Sequence, residues 1–134
     1  MANFDYQDFD REIWNKDLED FVPSTVYDMH THMWCEAHCG SVDGPPRGLR
    51  LEIDFRSHLD WAQNLYPGRA FHMLVLGTPI PGIDYQGHND WMAAELEADP
   101  ASSINMLISP EMAPEYVVEQ VDKHQFLSLI HISE

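Results

Sequence analysis

The strongest constraint on the fold is an alternation of short apolar segments with helical patterns. Strand-like segments begin near Thr25, Phe71 and Ile104, and each is followed by apolar residues at helical spacing. The run Ala70–Gly77 is almost continuously apolar, as in strands that a parallel sheet buries on both faces. The alternation predicts an α/β protein, built either as a doubly wound sheet or as a (β/α)8 barrel. No glycine-rich phosphate-binding motif follows the first strand, which disfavours the nucleotide-binding versions.

The remaining elements follow from the same reading. The segment Tyr6–Phe21 carries apolar residues at helical spacing, so residues 1–24 are predicted to form an N-terminal helical extension. Within the helical patterns, Trp61 and Trp91 are expected to be packing anchors. The other predicted elements are a long loop over Trp34–Glu52, helices over Phe55–Tyr66, over His88–Ala98 and from Pro114, and a fourth strand after Phe126.

The charge balance excludes some classes of partner. The chain has 23 acidic and 7 basic residues and a formal net charge of −16. Nucleic acid and anionic membrane surfaces are therefore not expected as partners, because both are bound by clustered Lys and Arg. The longest uncharged stretch, Ala70–Ile83, is too short to span a bilayer, and no export signal is visible. With only two cysteines, Cys35 and Cys39, a reducing cytoplasmic setting is expected.

The segment that carries chemistry is Asp28-Met29-His30-Thr31-His32, at the end of the first predicted strand. Side chains alternate along a strand, so His30 and His32 are predicted to point to the same side. They lie at the carboxyl end, where α/β folds place their active sites, and two adjacent imidazoles can share a divalent metal ion. By the same alternation, Asp28 would lie one step deeper on that side. It could orient a ligand histidine as a second-shell group or hold the strand end by a hydrogen bond.

This pentapeptide resembles the D-x-H-x-H opening of the amidohydrolase superfamily, and in particular the branch that includes aminocarboxymuconate-semialdehyde decarboxylase. The upstream Phe21-Val22-Pro23 and the following order of strands and helices are also similar. The resemblance implies a metal-dependent (β/α)8 barrel in which His30 and His32 are the first two ligands of a divalent ion, zinc or alternatively manganese. It also implies a further histidine and an aspartate ligand from later strands, which have no counterpart in this chain.

The resemblance implies a hydrolase in which the divalent metal activates water for attack on a carbonyl carbon of a small-molecule substrate. A metal-dependent decarboxylase, a carbon–carbon lyase of the same superfamily, is the first alternative, because the first two ligands are common to both reactions. A non-catalytic α/β binding domain with incidental histidines is the second alternative.

Other residues admit competing interpretations. A structural zinc site could be formed by four closely spaced residues, His32, Cys35, His38 and Cys39. Such sites, however, usually use two separated pairs of ligands. The cysteines are otherwise two loop thiols. The segment from Thr78 to Gly82 follows the second strand, so it could line the mouth of a barrel, with His88 reaching the rim. The simpler interpretation of that segment, which we favour, is a rigid turn before a helix.

The last residues differ from the rest of the chain. Residues 127–134 (LSLIHISE) resemble the translation of an adapter used in transposase-based sequencing libraries. We therefore expect the native sequence to end near Phe126 and residues 127–134 to be a non-native, adapter-derived tail, so that His131 has no function. An independent read through this locus tests the expectation, which is wrong if the same codons continue into a full gene.

The length fits only part of a barrel. A (β/α)8 barrel needs about 250 residues, whereas this chain has 134. Residues 25–126 are therefore expected to form a partial, truncated amidohydrolase-like barrel of about three βα units, an N-terminal fragment whose general base and remaining ligands lie beyond it. We expect the chain by itself to be inactive and to expose apolar surface at its uncovered sheet edges. The sequence does not indicate an oligomeric state.

Overall fold

The computed structural model describes residues 6–39, 52–80 and 82–131, and within them parallel strands alternate with helices. The predicted α/β class and parallel sheet are confirmed. One sheet has the strand order β1-β2-β3-β4, which follows the chain. The strands are β1 (Thr25–His32), β2 (Ala70–Leu76), β3 (Ser103–Ile108) and β4 (Ser128–His131). The α-helices are α1 (Asp8–Ile13), α2 (Phe55–Leu65), α3 (Tyr85–Leu96) and α4 (Pro114–His124).

The N-terminal segment is helical, but it covers less apolar surface than its pattern predicts. Helix α1 continues directly into a π-helical turn over Trp14–Leu18. Trp14 is buried, and the Arg69 guanidinium lies 5.2 Å from the centre of its indole ring. Arg69 also donates hydrogen bonds to two carbonyl groups of the same segment. The expected apolar face is otherwise exposed, since Phe9 and Phe21 are 60% and 82% accessible.

The core lies between the sheet and helix α3. Strand β3 is buried along most of its length, and β2 is buried toward its carboxyl end and half-buried before it. The outer strands differ, because Tyr27 and Met29 of β1 and Leu129 of β4 are exposed. The buried side chains shared by β2, β3 and α3 are Met73, Val75, Ile104, Met106, Met92, Ala93 and Leu96.

Helix α3 begins three residues earlier than predicted, at Tyr85 rather than at His88. The reason is an N-terminal cap that the Pro- and Gly-rich sequence around it obscures. The Asp84 carboxylate accepts a hydrogen bond from the backbone N–H of Gly87, which satisfies one of the free donors of the first turn. The earlier start places His88 and Asn89 inside the helix, where both are fully buried.

Asn89 joins helix α3 to strand β3 where β2 has ended. Its side-chain amide donates to the carbonyl of Leu107 and accepts from the N–H of Leu107, each at 2.9 Å. The last residue of β2 paired with β3 is Leu76, so the amide satisfies the backbone groups that a longer β2 would have paired. Gly77 has no side chain, and this absence leaves space for Leu107, because a side chain at position 77 would overlap that of Leu107. Buried backbone groups without partners are costly, so this contact stabilises the carboxyl end of β3.

We expect Asn89→Ala to lower the free energy of unfolding by about 2–4 kcal/mol, because it leaves two buried backbone groups unpaired. Urea denaturation of the variant and of wild type measures the difference. Asn64→Ala is the matched control, since Asn64 is an exposed residue of α2, and it should change stability by less than about 0.5 kcal/mol. Equal effects of the two substitutions would contradict this role of Asn89.

Candidate metal site

The site is formed by two histidines at the carboxyl end of β1. His30 and His32 are exposed, and their Nε2 atoms lie 3.2 Å apart, with ring centroids 5.1 Å apart at an angle of 72°. The two rings therefore converge on one point, as the period of the strand predicts. Strand β1 extends to His32, so both histidines belong to the sheet.

The spacing of the two nitrogen atoms fits a tetrahedral metal ion. Zinc–imidazole bonds of about 2.0–2.1 Å at a tetrahedral angle place two ligand nitrogens about 3.3–3.4 Å apart, close to the observed 3.2 Å. Within the part of the chain that the structure describes, no group of three or more His, Cys, Asp or Glu side chains could hold a metal ion. His30 and His32 thus offer two ligand positions, and the described residues do not complete the set.

The pairing of β1 with β2 is interrupted beside the site. Asp28 pairs with Met73 and Thr31 pairs with Val75, so three steps along β1 match two along β2. An irregularity of this kind is a β-bulge, which redirects the side chains that follow it. Side chains therefore do not alternate regularly between Asp28 and Thr31, so alternation alone does not place Asp28 on the side of His30 and His32. The sequence carries no clear signal of the bulge.

Asp28 acts on the main chain at the bulge. Its Oδ1 atom accepts a hydrogen bond of 2.9 Å from the backbone N–H of His30. This is one of the two roles predicted for Asp28, a hydrogen bond that holds the strand end. The other, a contact that orients a ligand imidazole, stays a prediction.

The backbone immediately after His30 is held from two other elements. His58 of α2 donates from Nε2 to the carbonyl of His32 at 3.0 Å. The Thr78 hydroxyl, in the loop after β2, donates to the carbonyl of Met33 at 2.9 Å. Two consecutive carbonyls at the end of β1 are thus fixed by side chains distant in sequence, which the sequence reading did not identify. Burial lowers the pKa of His58, although its bond to the His32 carbonyl and the carboxylates of Asp28 and Asp54 oppose this shift.

His88 is a structural residue rather than a group on an open rim. It is fully buried, and its Nε2 accepts a hydrogen bond from the backbone N–H of Thr78 at 3.4 Å. Nδ1 therefore carries the proton of the neutral ring and faces Nδ1 of His38 at 3.4 Å. Burial and then the His38 imidazole lower the pKa of His88 to about 4, against the opposing effect of the Asp84 carboxylate. This geometry agrees with the interpretation of the segment as a turn packed on a helix.

The structural zinc alternative gains no support from the positions of its four residues. His32 faces His30, and His38 faces His88. The Cys39 thiol donates to the carbonyl of Cys35, and burial, followed by the charges of Cys35 and Glu36, raises the pKa of Cys39. A raised pKa leaves less thiolate at neutral pH, so Cys39 is a poor nucleophile.

Two further histidines lie elsewhere in the molecule and are bound to carboxylates. His72 Nδ1 lies 2.8 Å from Asp99 Oδ2, and the Ser102 hydroxyl donates to the same oxygen. Partial burial tends to raise the pKa of Asp99, but these hydrogen bonds outweigh it and lower the pKa overall. His124 Nε2 lies 3.1 Å from Asp90 Oδ1. Because carboxylates fix both rings, these contacts stabilise loops and helix ends.

A cavity of about 440 Å³ lies between the starts of α3 and α4. Its walls carry two carboxylates and two phenol rings, and they do not include His30 or His32. The residues that line it include Asp84, Tyr85, Glu111, Met112 and Tyr116.

Two findings bear on the class of protein. Comparison of the chain with protein-family models, with curated proteins and with solved structures finds no match. The resemblance to the amidohydrolase superfamily therefore rests on the residues around His30 and His32. In the described ranges, no helix has both the length and the apolar character needed to cross a membrane.

The low pKa of His88 predicts a specific pH dependence of stability. The unfolded chain takes up this proton near pH 6.5, whereas the folded chain takes it up only near pH 4. The contribution of neutral His88 is therefore complete above pH 6.5 and decreases as the pH falls toward 4, by about 3 kcal/mol in total. His88→Gln can still accept from the Thr78 N–H but does not titrate, so we expect a smaller loss of stability between pH 7 and 4.5.

Urea denaturation at several pH values measures this difference. His124→Gln is the control for replacing a histidine by glutamine, since His124 lies on α4 and contacts Asp90. Its loss of stability between pH 7 and 4.5 should stay larger than that of His88→Gln. Parallel curves for wild type and His88→Gln would show that His88 does not carry the effect.

Proposed function

We propose that this chain is the N-terminal part of a metal-dependent hydrolase of the amidohydrolase superfamily, with a (β/α)8 barrel as its complete fold. The observation that carries the proposal is the convergence of His30 and His32 Nε2 atoms, 3.2 Å apart, at the carboxyl end of a parallel strand. The order β1-β2-β3, with a helix after each strand, is the order in which such a barrel begins.

His30 and His32 would hold the divalent ion, which we take to be zinc, with manganese as the alternative. When bound, the ion would act as a Lewis acid and lower the pKa of water toward about 7, the chemistry needed for attack on a carbonyl carbon. The chain itself supplies the orientation of the two imidazoles. Asp28 holds the N–H of His30, while His58 and Thr78 hold the carbonyls that follow.

The surroundings also favour a cation. The carboxylates of Asp28 and Asp54 act on His58 in the direction that favours a proton, although burial outweighs them and lowers its pKa overall. The chain as a whole carries a net charge of −16. A negative potential at the end of β1 raises the local concentration of a divalent ion. An anionic substrate would require the charge of the ion to offset this potential.

We expect Zn²⁺ to bind wild type with one site, and His30→Ala/His32→Ala to weaken that binding at least tenfold, because both imidazole ligands are removed. Isothermal titration of the 134-residue chain measures both. His72→Ala/His124→Ala is the matched control, since it also removes two histidines and should leave the Zn²⁺ affinity unchanged. Equal Zn²⁺ affinity in wild type and in His30→Ala/His32→Ala would overturn the ligand assignment.

A non-catalytic α/β binding domain is the second candidate. It is favoured by the absence of a third metal-binding side chain beside His30 and His32 in the described residues. A longer chain that carries further strands separates the candidates. Hydrolysis of ester or amide substrates supports the hydrolase if a chelator abolishes the activity. Release of carbon dioxide from an acid supports the alternative decarboxylase. Tight ligand binding without turnover supports the binding domain.

A further inference from the structure

Helix α2 is placed directly above the end of β1 by a short bridge. Trp34 and Ile53 exchange two backbone hydrogen bonds of 2.9 and 3.0 Å in an antiparallel pair. The bridge brings the chain back to β1 after the segment between them, so the start of α2 lies beside the end of the strand. Asp54 then caps the helix by accepting from the N–H of Ser57 at 2.7 Å, which fixes where the first turn begins.

This start places His58 one turn into α2, next to the metal site. Its Nε2 lies 3.0 Å from the carbonyl oxygen of His32. A carbonyl oxygen can only accept, so Nε2 must carry a proton. The ring also contacts Trp61, one turn further along α2, at 5.2 Å and nearly perpendicular. The indole and the carbonyl together restrict the orientation of the His58 ring.

The contact matters because it links the carbonyl at the end of β1 to helix α2. His32 is the last residue of β1 and pairs with Leu76, the last residue of β2. This is the last pair of the β1–β2 ladder, so the orientation of the His32 side chain also depends on the contact at its carbonyl. Rotation about the His32 backbone would move its imidazole away from His30. Groups that orient ligand histidines without touching the metal commonly change metal affinity by about 10–100-fold when they are removed.

We propose that His58 is a positioning residue for the His30–His32 pair: through its hydrogen bond to the His32 carbonyl it sets the rotation of the strand end and keeps the two Nε2 atoms convergent. The proposal deepens the proposed function, because it assigns a further residue to the same metal site. His58 itself is not a metal ligand in this arrangement, since its Nε2 proton is directed at the carbonyl.

The test uses two substitutions of His58 in the 134-residue chain. His58→Leu fills much of the same volume but donates no hydrogen bond. His58→Gln keeps an N–H donor near the position of Nε2. Isothermal titration with Zn²⁺ should show about tenfold weaker binding by His58→Leu and binding within about threefold of wild type by His58→Gln. His124→Leu is the matched control and should bind Zn²⁺ like wild type, because His124 lies on α4 and contacts Asp90.

A second measurement keeps the positioning role testable without a metal. In the metal-free protein, NMR should detect a ring-to-ring nuclear Overhauser effect between His30 and His32 in wild type and in His58→Gln, and a weakened one in His58→Leu. If wild type fails to bind Zn²⁺ through His30 and His32 but this pattern holds, the proposed function fails and the positioning role stands. If His58→Leu matches wild type in both the Overhauser effect and Zn²⁺ affinity, the positioning role is wrong.

Discussion

The parallel pairing of β1 with β2 is the interaction on which the rest of the structure depends. It runs from Thr25 opposite Ala70 to His32 opposite Leu76. Because parallel strands end at the same edge, this pairing brings His32 beside the loop that carries Thr78. It also directs the chain after β1 toward helix α2. The buried residues Thr31 and Met33 hold the inner side of the strand, whereas its other side chains are largely exposed.

The histidines near the ends of β1 and β2 have different roles because their burial and hydrogen-bond partners differ. His30 and His32 are exposed, so both imidazole rings are accessible to a ligand. His88 is buried, and the N–H of Thr78 occupies one of its nitrogens, so it is restricted to one tautomer. His58 is intermediate, with its proton directed at a backbone carbonyl. The same side chain thus serves as a candidate ligand, a structural acceptor and a structural donor, depending on burial and partner.

Some elements could be predicted because their signal is local. The apolar runs of β2 and β3 locate both strands to within a residue of the observed Ala70 and Ser103. Alternation of side chains along a strand is enough to predict that His30 and His32 point to the same side, although it does not reveal the bulge between Asp28 and Thr31. The start of α3 was placed too late, because the Asp84 cap stands in a segment whose prolines and glycines favour a turn. The sequence leaves the exposure of Phe9 and Phe21 open, since spacing reveals a helix but not whether another element covers it.

What the sequence determined by itself is the α/β class, the parallel strands and the pair of imidazoles at the end of β1. Each follows from periodicity over a few residues, which the backbone geometry of strands and helices enforces. Only the tertiary structure decided the bulge at Asp28, the hydrogen bond from His58 to His32 and the burial of His88. These features join residues far apart in the chain. They depend on how α2 and α3 pack against the sheet, and no local pattern encodes such contacts.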